Sequence, residues 1–134
     1  MALFVDTSVW SLAFRRDGNL EAPQVKKLMR SLSQDEMVLS TGMVLQELLQ
    51  GFDGPKARVT LLSHFKAIPM IWPTLQDHTA AADLRNLCRR SGIQCGTIDA
   101  LLSQLCIRAN VEILTTDNDF GHIAKHSPLK VWQH

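Results

Sequence analysis

The sequence predicts an α/β protein with a central, mostly parallel sheet of about five strands flanked by helices. Short apolar runs alternate with helical stretches along the chain. Those runs are continuously apolar and not apolar at every second residue, which is typical of strands covered on both faces. The length of 134 residues, with 46% hydrophobic and 20% charged residues, is ordinary for one globular domain. We therefore expect a single domain over residues 1–134.

Five apolar runs predict the strands. Each is short and is stopped by polar or turn-forming residues, as expected of buried strands. The predicted strands are residues 2–5, 37–39, 67–72, 111–115 and 129–132.

Five stretches between these runs predict helices. Pro23 suits the first turn of one helix, and Thr74 and Thr97 stand where an N-cap is expected. Gly92 and Asn110 stand where a left-handed residue would end a helix. The predicted helices are residues 21–32, 42–50, 55–65, 75–90 and 98–109.

Composition excludes several kinds of protein. The three cysteines, Cys88, Cys95 and Cys106, are odd in number and form no CxxC pair, which argues against a disulfide framework and a thiolate zinc site. A net charge of +1 makes no general case for nucleic-acid binding. No apolar run approaches the roughly 18 residues of a membrane span, and the first residues do not resemble a signal peptide. We expect a cytoplasmic protein with no membrane partner.

Four carboxylates stand where simple solvation is a poor explanation. Asp6 and Asp117 follow predicted strands, and ligands of open parallel sheets bind at that edge. Glu47 lies at the border of an apolar helix face, and Asp99 lies in a first helical turn among apolar neighbours. Each alone suits an ordinary turn or helix start. Together they would repel, by about 4 kcal/mol per pair at 4 Å and an effective dielectric of 20.

A cation would relieve that repulsion. A site of oxygen ligands without His or Cys favours Mg²⁺ or Mn²⁺. Such ions suit in-line displacement at a phosphate, which is nuclease chemistry.

Four segments carry a resemblance to a known family. They are Asp6-Thr7-Ser8, LQELLQG at 45–51, TIDALL at 97–102 and ILTTDNDF at 113–120. In this order, and over essentially the whole chain, the sequence resembles PIN-domain ribonucleases of the VapC toxin group. The resemblance implies an Mg²⁺-dependent endoribonuclease, with Mn²⁺ as a possible substitute, that cleaves RNA by hydrolysis without a covalent enzyme intermediate. It also implies a homodimer and a small cognate antitoxin, as in type II toxin–antitoxin systems.

The resemblance assigns roles to individual residues. Asp6, Glu47, Asp99 and Asp117 match the catalytic, metal-binding acids. Supporting roles fall to Thr7, Ser8 and Thr116 as small hydroxyl residues beside the acids, and to Asp119, which could replace or assist Asp117. Ser103 and Gln104 depart from the family, which more often has small apolar residues there.

RNA contacts are expected mainly at phosphates, because aromatic residues make up only 6% of the chain. Arg15 and Arg16 are the predicted RNA contacts, since they follow the Asp6 segment closely.

Other functions stay open at this point. A non-catalytic PIN-like module that binds RNA or protein would need no metal. An aspartyl phosphotransferase could use Asp6 as nucleophile, although such enzymes need a second acid where this chain has Ser8. His122 and His126 have the spacing of zinc ligands on a helix, but no Glu follows His122 as in HExxH.

Overall fold

A parallel sheet forms the centre of the computed structural model, which describes residues 2–15 and 20–134. Its strand order is β2-β1-β3-β4, and every pairing is parallel. The predicted α/β class is therefore confirmed. The strands are β1 (Leu3–Val5), β2 (Val38–Leu39), β3 (Glu112–Leu114) and β4 (Lys130–Val131).

The predicted strand at 67–72 is represented by a single contact. Met70 forms a parallel bridge with Ser40, just beyond the end of β2. Because β2 has only two residues, it has too few backbone groups to pair with a regular strand at 67–72.

Seven helices surround the sheet in the described residues, and five of them lie within two residues of their predicted bounds. Two short helices, α1 and α7, were not predicted. The helices are α1 (Thr7–Phe14), α2 (Pro23–Ser33), α3 (Gly42–Gly51), α4 (Pro55–Phe65), α5 (Leu75–Arg90), α6 (Thr97–Ala109) and α7 (Asp119–Ala124).

The helix ends mostly follow the expected capping chemistry. Thr74 caps α5 in a capping box with Asp77. Asn110 ends α6 in the left-handed region at φ 55°, and Gly92 follows α5 at φ +74°. The prediction for Thr97 is wrong, because Gly96 is the N-cap and Thr97 is the first helical residue. The Thr97 side chain therefore belongs to the first turn of α6.

The core lies on both faces of the sheet. All three residues of β1 are buried, which explains why that run shows no alternation of apolar and polar residues. Trp10 of α1 packs its ring 5.0 Å from that of Phe65 of α4, which joins these two helices. Each fully buried large side chain stabilises the fold by about 1.5–3 kcal/mol.

A buried ion pair joins the start of α5 to the end of α6. Asp77, only 1% exposed, accepts hydrogen bonds from Arg108 Nε at 2.9 and 3.0 Å. Burial alone would raise the pKa of Asp77, but hydrogen bonds from Arg108, Thr74 and Gln104 outweigh it and lower the pKa to about 2. Gln104, one of the residues that depart from the family, thus supports this ion pair.

Within the described ranges, no helix combines the length and apolar character needed to cross a membrane.

The strand order reverses between β1 and β3. The chain leaves β1 to form β2 on one side and later returns to form β3 on the other. Val5 is in register with Leu114, and the Asp6 N–H donates to the Leu114 carbonyl at 2.9 Å. Ligands of open α/β sheets bind at such a reversal, beyond the carboxyl ends of the strands.

Candidate active site

Asp6 is the most buried carboxylate at the carboxyl edge of the sheet, with 7% of the residue exposed. It follows β1 directly and is the N-cap residue of α1. Its Oδ2 accepts hydrogen bonds from Ser8 Oγ and Thr115 Oγ1, both at 2.8 Å. The Asp6 Oδ1 atom accepts no hydrogen bond from residues 2–15 and 20–134.

The two hydroxyls that bind Asp6 also hold the segment after β3. Thr115 Oγ1 accepts from the Asp117 N–H at 2.9 Å, and Ser8 Oγ accepts from the Thr116 N–H at 3.1 Å. These bonds couple the β1 and β3 ends through side chains as well as through the sheet. This arrangement does not favour an aspartyl phosphotransferase. Such an enzyme needs a second acid two residues after its nucleophile, and at that position Ser8 donates a hydrogen bond to Asp6.

Glu47 reaches the same edge from α3. Thr7, the first residue of α1, donates from Oγ1 to Glu47 Oε1 at 2.8 Å. This bond fixes the carboxylate against the start of α1. Thr7 and Ser8 thus each orient one acid, consistent with the predicted supporting roles.

Three more carboxylates form a close group near Asp6 and Glu47, whose charges act on Asp99. Asp99 in the first turn of α6, Asp117 after β3 and Asp119 at the start of α7 each have an oxygen within 4.8 Å of the others. The Asp119 N–H donates to Asp117 Oδ1 at 2.9 Å, and this bond turns the chain so that Asp119 faces the cluster. Asp119, left open as a substitute for Asp117, therefore lies beside it.

The cluster is electrostatically strained. The pKa of Asp99 is raised from 3.8 to about 6, first by burial and then by the charges of Asp117, Asp6, Asp119 and Glu47. In the part of the chain that the structure describes, no basic side chain lies within 4.0 Å of any of these five carboxylates. Among residues 2–15 and 20–134, no ion pair therefore offsets their mutual repulsion.

The donor set suits a hard divalent cation. It consists of carboxylate oxygens from four parts of the fold, with hydroxyls behind two of them. Mg²⁺ and Mn²⁺ prefer such oxygen ligands, and a bound cation would also remove the repulsion that raises the Asp99 pKa.

The sequence reasoning missed Thr115. Thr116 was predicted to support the acids through its hydroxyl, but Thr115 donates to Asp6, while Thr116 contributes its backbone N–H to Ser8. The role of Thr115 follows from the register of β1 with β3. Once Val5 pairs with Leu114, the residue after Leu114 stands beside Asp6.

Of the two predicted RNA contacts, the structure describes Arg15. Arg15 follows the last residue of α1, so the eight-residue helix separates it from Thr7 by a rise of about 12 Å. Arg16 lies outside the described residues.

Comparisons with known proteins identify the family and the fold. The family model described as the PIN domain matches residues 3–126. Ribonuclease VapC11 of Mycobacterium tuberculosis is 28% identical over 130 residues, which are 96% of each chain. The fold is similar to that in the crystal structure of VapBC2 from Rickettsia felis bound to a promoter DNA fragment, with a TM-score of 0.73, 18% identity and 98% of both chains covered.

A third similar protein is VapC20 of Mycobacterium tuberculosis, described as a toxin that cleaves the sarcin-ricin loop. Its TM-score is 0.68 at 23% identity, with 90% of this chain and 93% of that chain covered. At these identities the solved structures establish the similarity of fold.

Proposed function

Since the chain belongs to the PIN-domain family, we propose that it is a metal-dependent endoribonuclease and the toxin of a VapBC-type toxin–antitoxin pair. The observation that carries the proposal is the convergence of five carboxylates, without a basic partner among the described residues, on the edge where the strand order reverses.

The residues assigned to the metal are Asp6, Glu47, Asp99 and Asp117, with Asp119 beside them. Mg²⁺ is the proposed ion and Mn²⁺ a substitute. When bound, such an ion lowers the pKa of a water molecule and offsets charge on the phosphate and its leaving oxygen.

The chain's own residues supply orientation. Ser8 and Thr115 both donate to Oδ2 of Asp6 and fix the orientation of its carboxylate. Thr7 holds Glu47 in the same way. Preformed ligands of this kind avoid the cost of ordering flexible side chains when the ion binds. Hydrolysis here needs no Ser or Cys nucleophile.

The first test is cleavage of a mixed cellular RNA pool by the purified chain in Mg²⁺, Mn²⁺ and EDTA. We expect discrete cuts in either metal, none in EDTA and none with Asp99→Asn. Asp83→Asn is the matched control, because Asp83 is exposed on α5, away from the cluster, and loses the same charge. Metal-independent cleavage, or full activity of folded Asp99→Asn protein, would overturn the proposal. Metal binding without any cleavage would favour the non-catalytic module.

The proposal includes three partners: an RNA substrate, a small cognate antitoxin that blocks the site, and a second copy of the chain. The cytoplasm is the proposed location because the RNA substrate is there. Light scattering checks the homodimer, which has twice the chain mass of 15.0 kDa. Co-expression with the protein encoded beside it checks the antitoxin, which should co-purify and suppress cleavage.

A further inference from the structure

Three arginines gather at the C-terminal end of α5 without an acidic partner in the described ranges. They are Arg85, Arg89 and Arg90. Arg85 is partly buried, and its Nε donates to the Cys95 carbonyl at 3.0 Å, which fixes the guanidinium over the α5–α6 loop. Arg89 stands one turn later on the same helix face. Like charges at this spacing repel each other.

Two of these arginines, Arg85 and Arg89, line a small pocket together with the α5–α6 loop. Its volume is about 210 Å³, and Arg85, Arg89, Gln94 and Gly96 are among the residues that line it. Guanidinium groups match the oxygens of a phosphate group in geometry as well as in charge. Gln94, which also lines the pocket, carries a side-chain amide donor. The pocket thus offers hydrogen-bond donors and positive charge to an anion.

The pocket shares a wall with the acidic cluster. Gly96 lines the pocket, and a Cβ added at Gly96 would lie 3.7 Å from Asp99 Oδ2. Without a bound metal ion, a cluster of five carboxylates repels the backbone of RNA, and cations at the border of the cluster offset that repulsion. Arg85 and Arg89 line the pocket that meets this border through Gly96, whereas Arg15 lies at the far end of α1.

We propose that this pocket, lined by Arg85, Arg89 and Gln94, binds a backbone phosphate of the RNA strand next to the one that is cleaved. The inference rests on the proposed ribonuclease function and deepens it by assigning a substrate-binding subsite. Arg85, which donates to the loop, and Arg89, which is exposed one helical turn later, contact the phosphate. Contacts of this kind position the strand and carry no base specificity.

The test compares Arg89→Gln with Arg90→Gln. Both residues are exposed, lie in the last turn of α5 and lose the same charge, but only Arg89 lines the pocket. Binding of a fluorescein-labelled, single-stranded 20-nucleotide RNA of mixed sequence is measured by anisotropy. The Asp99→Asn protein in Mg²⁺ is used so that the RNA stays intact.

We expect Arg89→Gln to weaken binding about tenfold at low salt and Arg90→Gln to weaken it less than twofold. The slope of log K against log salt should fall by about 0.7 for Arg89→Gln, as one phosphate contact to a single strand is lost. In the cleaving chain, Arg89→Gln should raise KM and leave kcat within twofold, because the contact exists before and during the reaction.

A second variant, Gln94→Glu, places a negative charge in the pocket and should weaken binding at least as much. Equal effects of Arg89→Gln and Arg90→Gln would overturn the subsite, as would an Asp99→Asn protein that binds no RNA. Cleavage by the unaltered chain decides the proposed function separately. A chain that cleaves RNA but shows no difference between the two arginine variants therefore loses only the subsite.

Discussion

At the scale of single residues, the Thr115 hydroxyl links two acids of the candidate site. It donates to Asp6 Oδ2 and accepts from the Asp117 N–H, in a position that is 7% exposed. Thr115→Val keeps the shape and removes both bonds. We expect about 1–3 kcal/mol lower stability, because polar partners are left unsatisfied, together with weaker metal binding.

Thr116→Val is the matched control, because Thr116 is exposed and reaches Ser8 through its backbone. Urea denaturation and Mn²⁺ titration of both variants check the prediction. A Thr116→Val protein that loses as much as Thr115→Val would contradict the role given to the Thr115 hydroxyl.

The raised pKa of Asp99 predicts how the stability of the metal-free protein depends on pH. Its folded-state pKa of about 6 lies above the ordinary value of 3.8, so the folded protein binds this proton more tightly than the unfolded chain does. The resulting stability is fully present below pH 3.8 and is lost as pH rises through 6. In EDTA at pH 7.5, Asp99→Asn should therefore be more stable than the unaltered chain, by on the order of 1–2 kcal/mol.

Urea denaturation in EDTA at pH 5 and pH 7.5 measures this effect. The advantage of Asp99→Asn should shrink at pH 5, where Asp99 is already protonated in the folded chain. An advantage of equal size at both pH values would show that relief of charge repulsion is not its cause.

At the scale of elements, the Asp77–Arg108 pair holds α5 against α6, and α6 carries Asp99. The folded-state pKa of Asp77, about 2, lies below its ordinary value of 3.8. Its contribution to stability is therefore present above pH 4 and lost as pH falls towards 2. Arg108→Gln should destabilise the protein by about 2–3 kcal/mol, because it leaves a buried carboxylate without its counter-charge.

A double-mutant cycle with Asp77→Asn separates the pair from its surroundings. The double variant should be destabilised by less than the sum of the single variants, since each single change already breaks the pair. Additive losses would mean that the two side chains stabilise the protein independently.

The elements that sequence reasoning missed were short ones. Helix α7 has six residues, fewer than two turns, so no apolar period can be read from it. Helix α1 has eight residues, including Val9, Trp10 and Phe14, whose side chains are also common in strands. The long helices α5 and α6 were predicted because their caps and periods act together over more than three turns.

At the scale of the whole molecule, much of the candidate site could be predicted from two positions. Asp6 and Asp117 each follow an apolar run, and parallel strands bring such residues to one edge. Thr115 could not be assigned in the same way, because its contact depends on the register of β1 with β3. The pocket at Arg89 depends on the contact between Arg85 and the α5–α6 loop. No local sequence pattern predicts that contact.

The proposed metal ligands are far apart in the sequence, so we expect the metal to stabilise the whole folded chain. Asp6, Glu47, Asp99 and Asp117 come from the end of β1, from α3, from α6 and from the end of β3, so the complete site exists only in the folded chain. An ion that binds only the folded state adds about 2.7 kcal/mol at a concentration of 100 times its Kd. For a chain of this length, that corresponds to an increase in Tm of about 5–10 °C.

Thermal unfolding followed by circular dichroism, in EDTA and at increasing Mg²⁺ or Mn²⁺, measures this increase. Asp99→Asn should start at a higher Tm in EDTA at pH 7.5 and gain little from the metal, because it has lost both the repulsion and a ligand. Asp83→Asn should respond as the unaltered chain does. An equal increase in all three proteins would assign the stabilisation to general ionic effects and remove the metal site from the cluster. An increase confined to the chains that keep Asp99 would show that the stabilising ion binds at the cluster that contains Asp99.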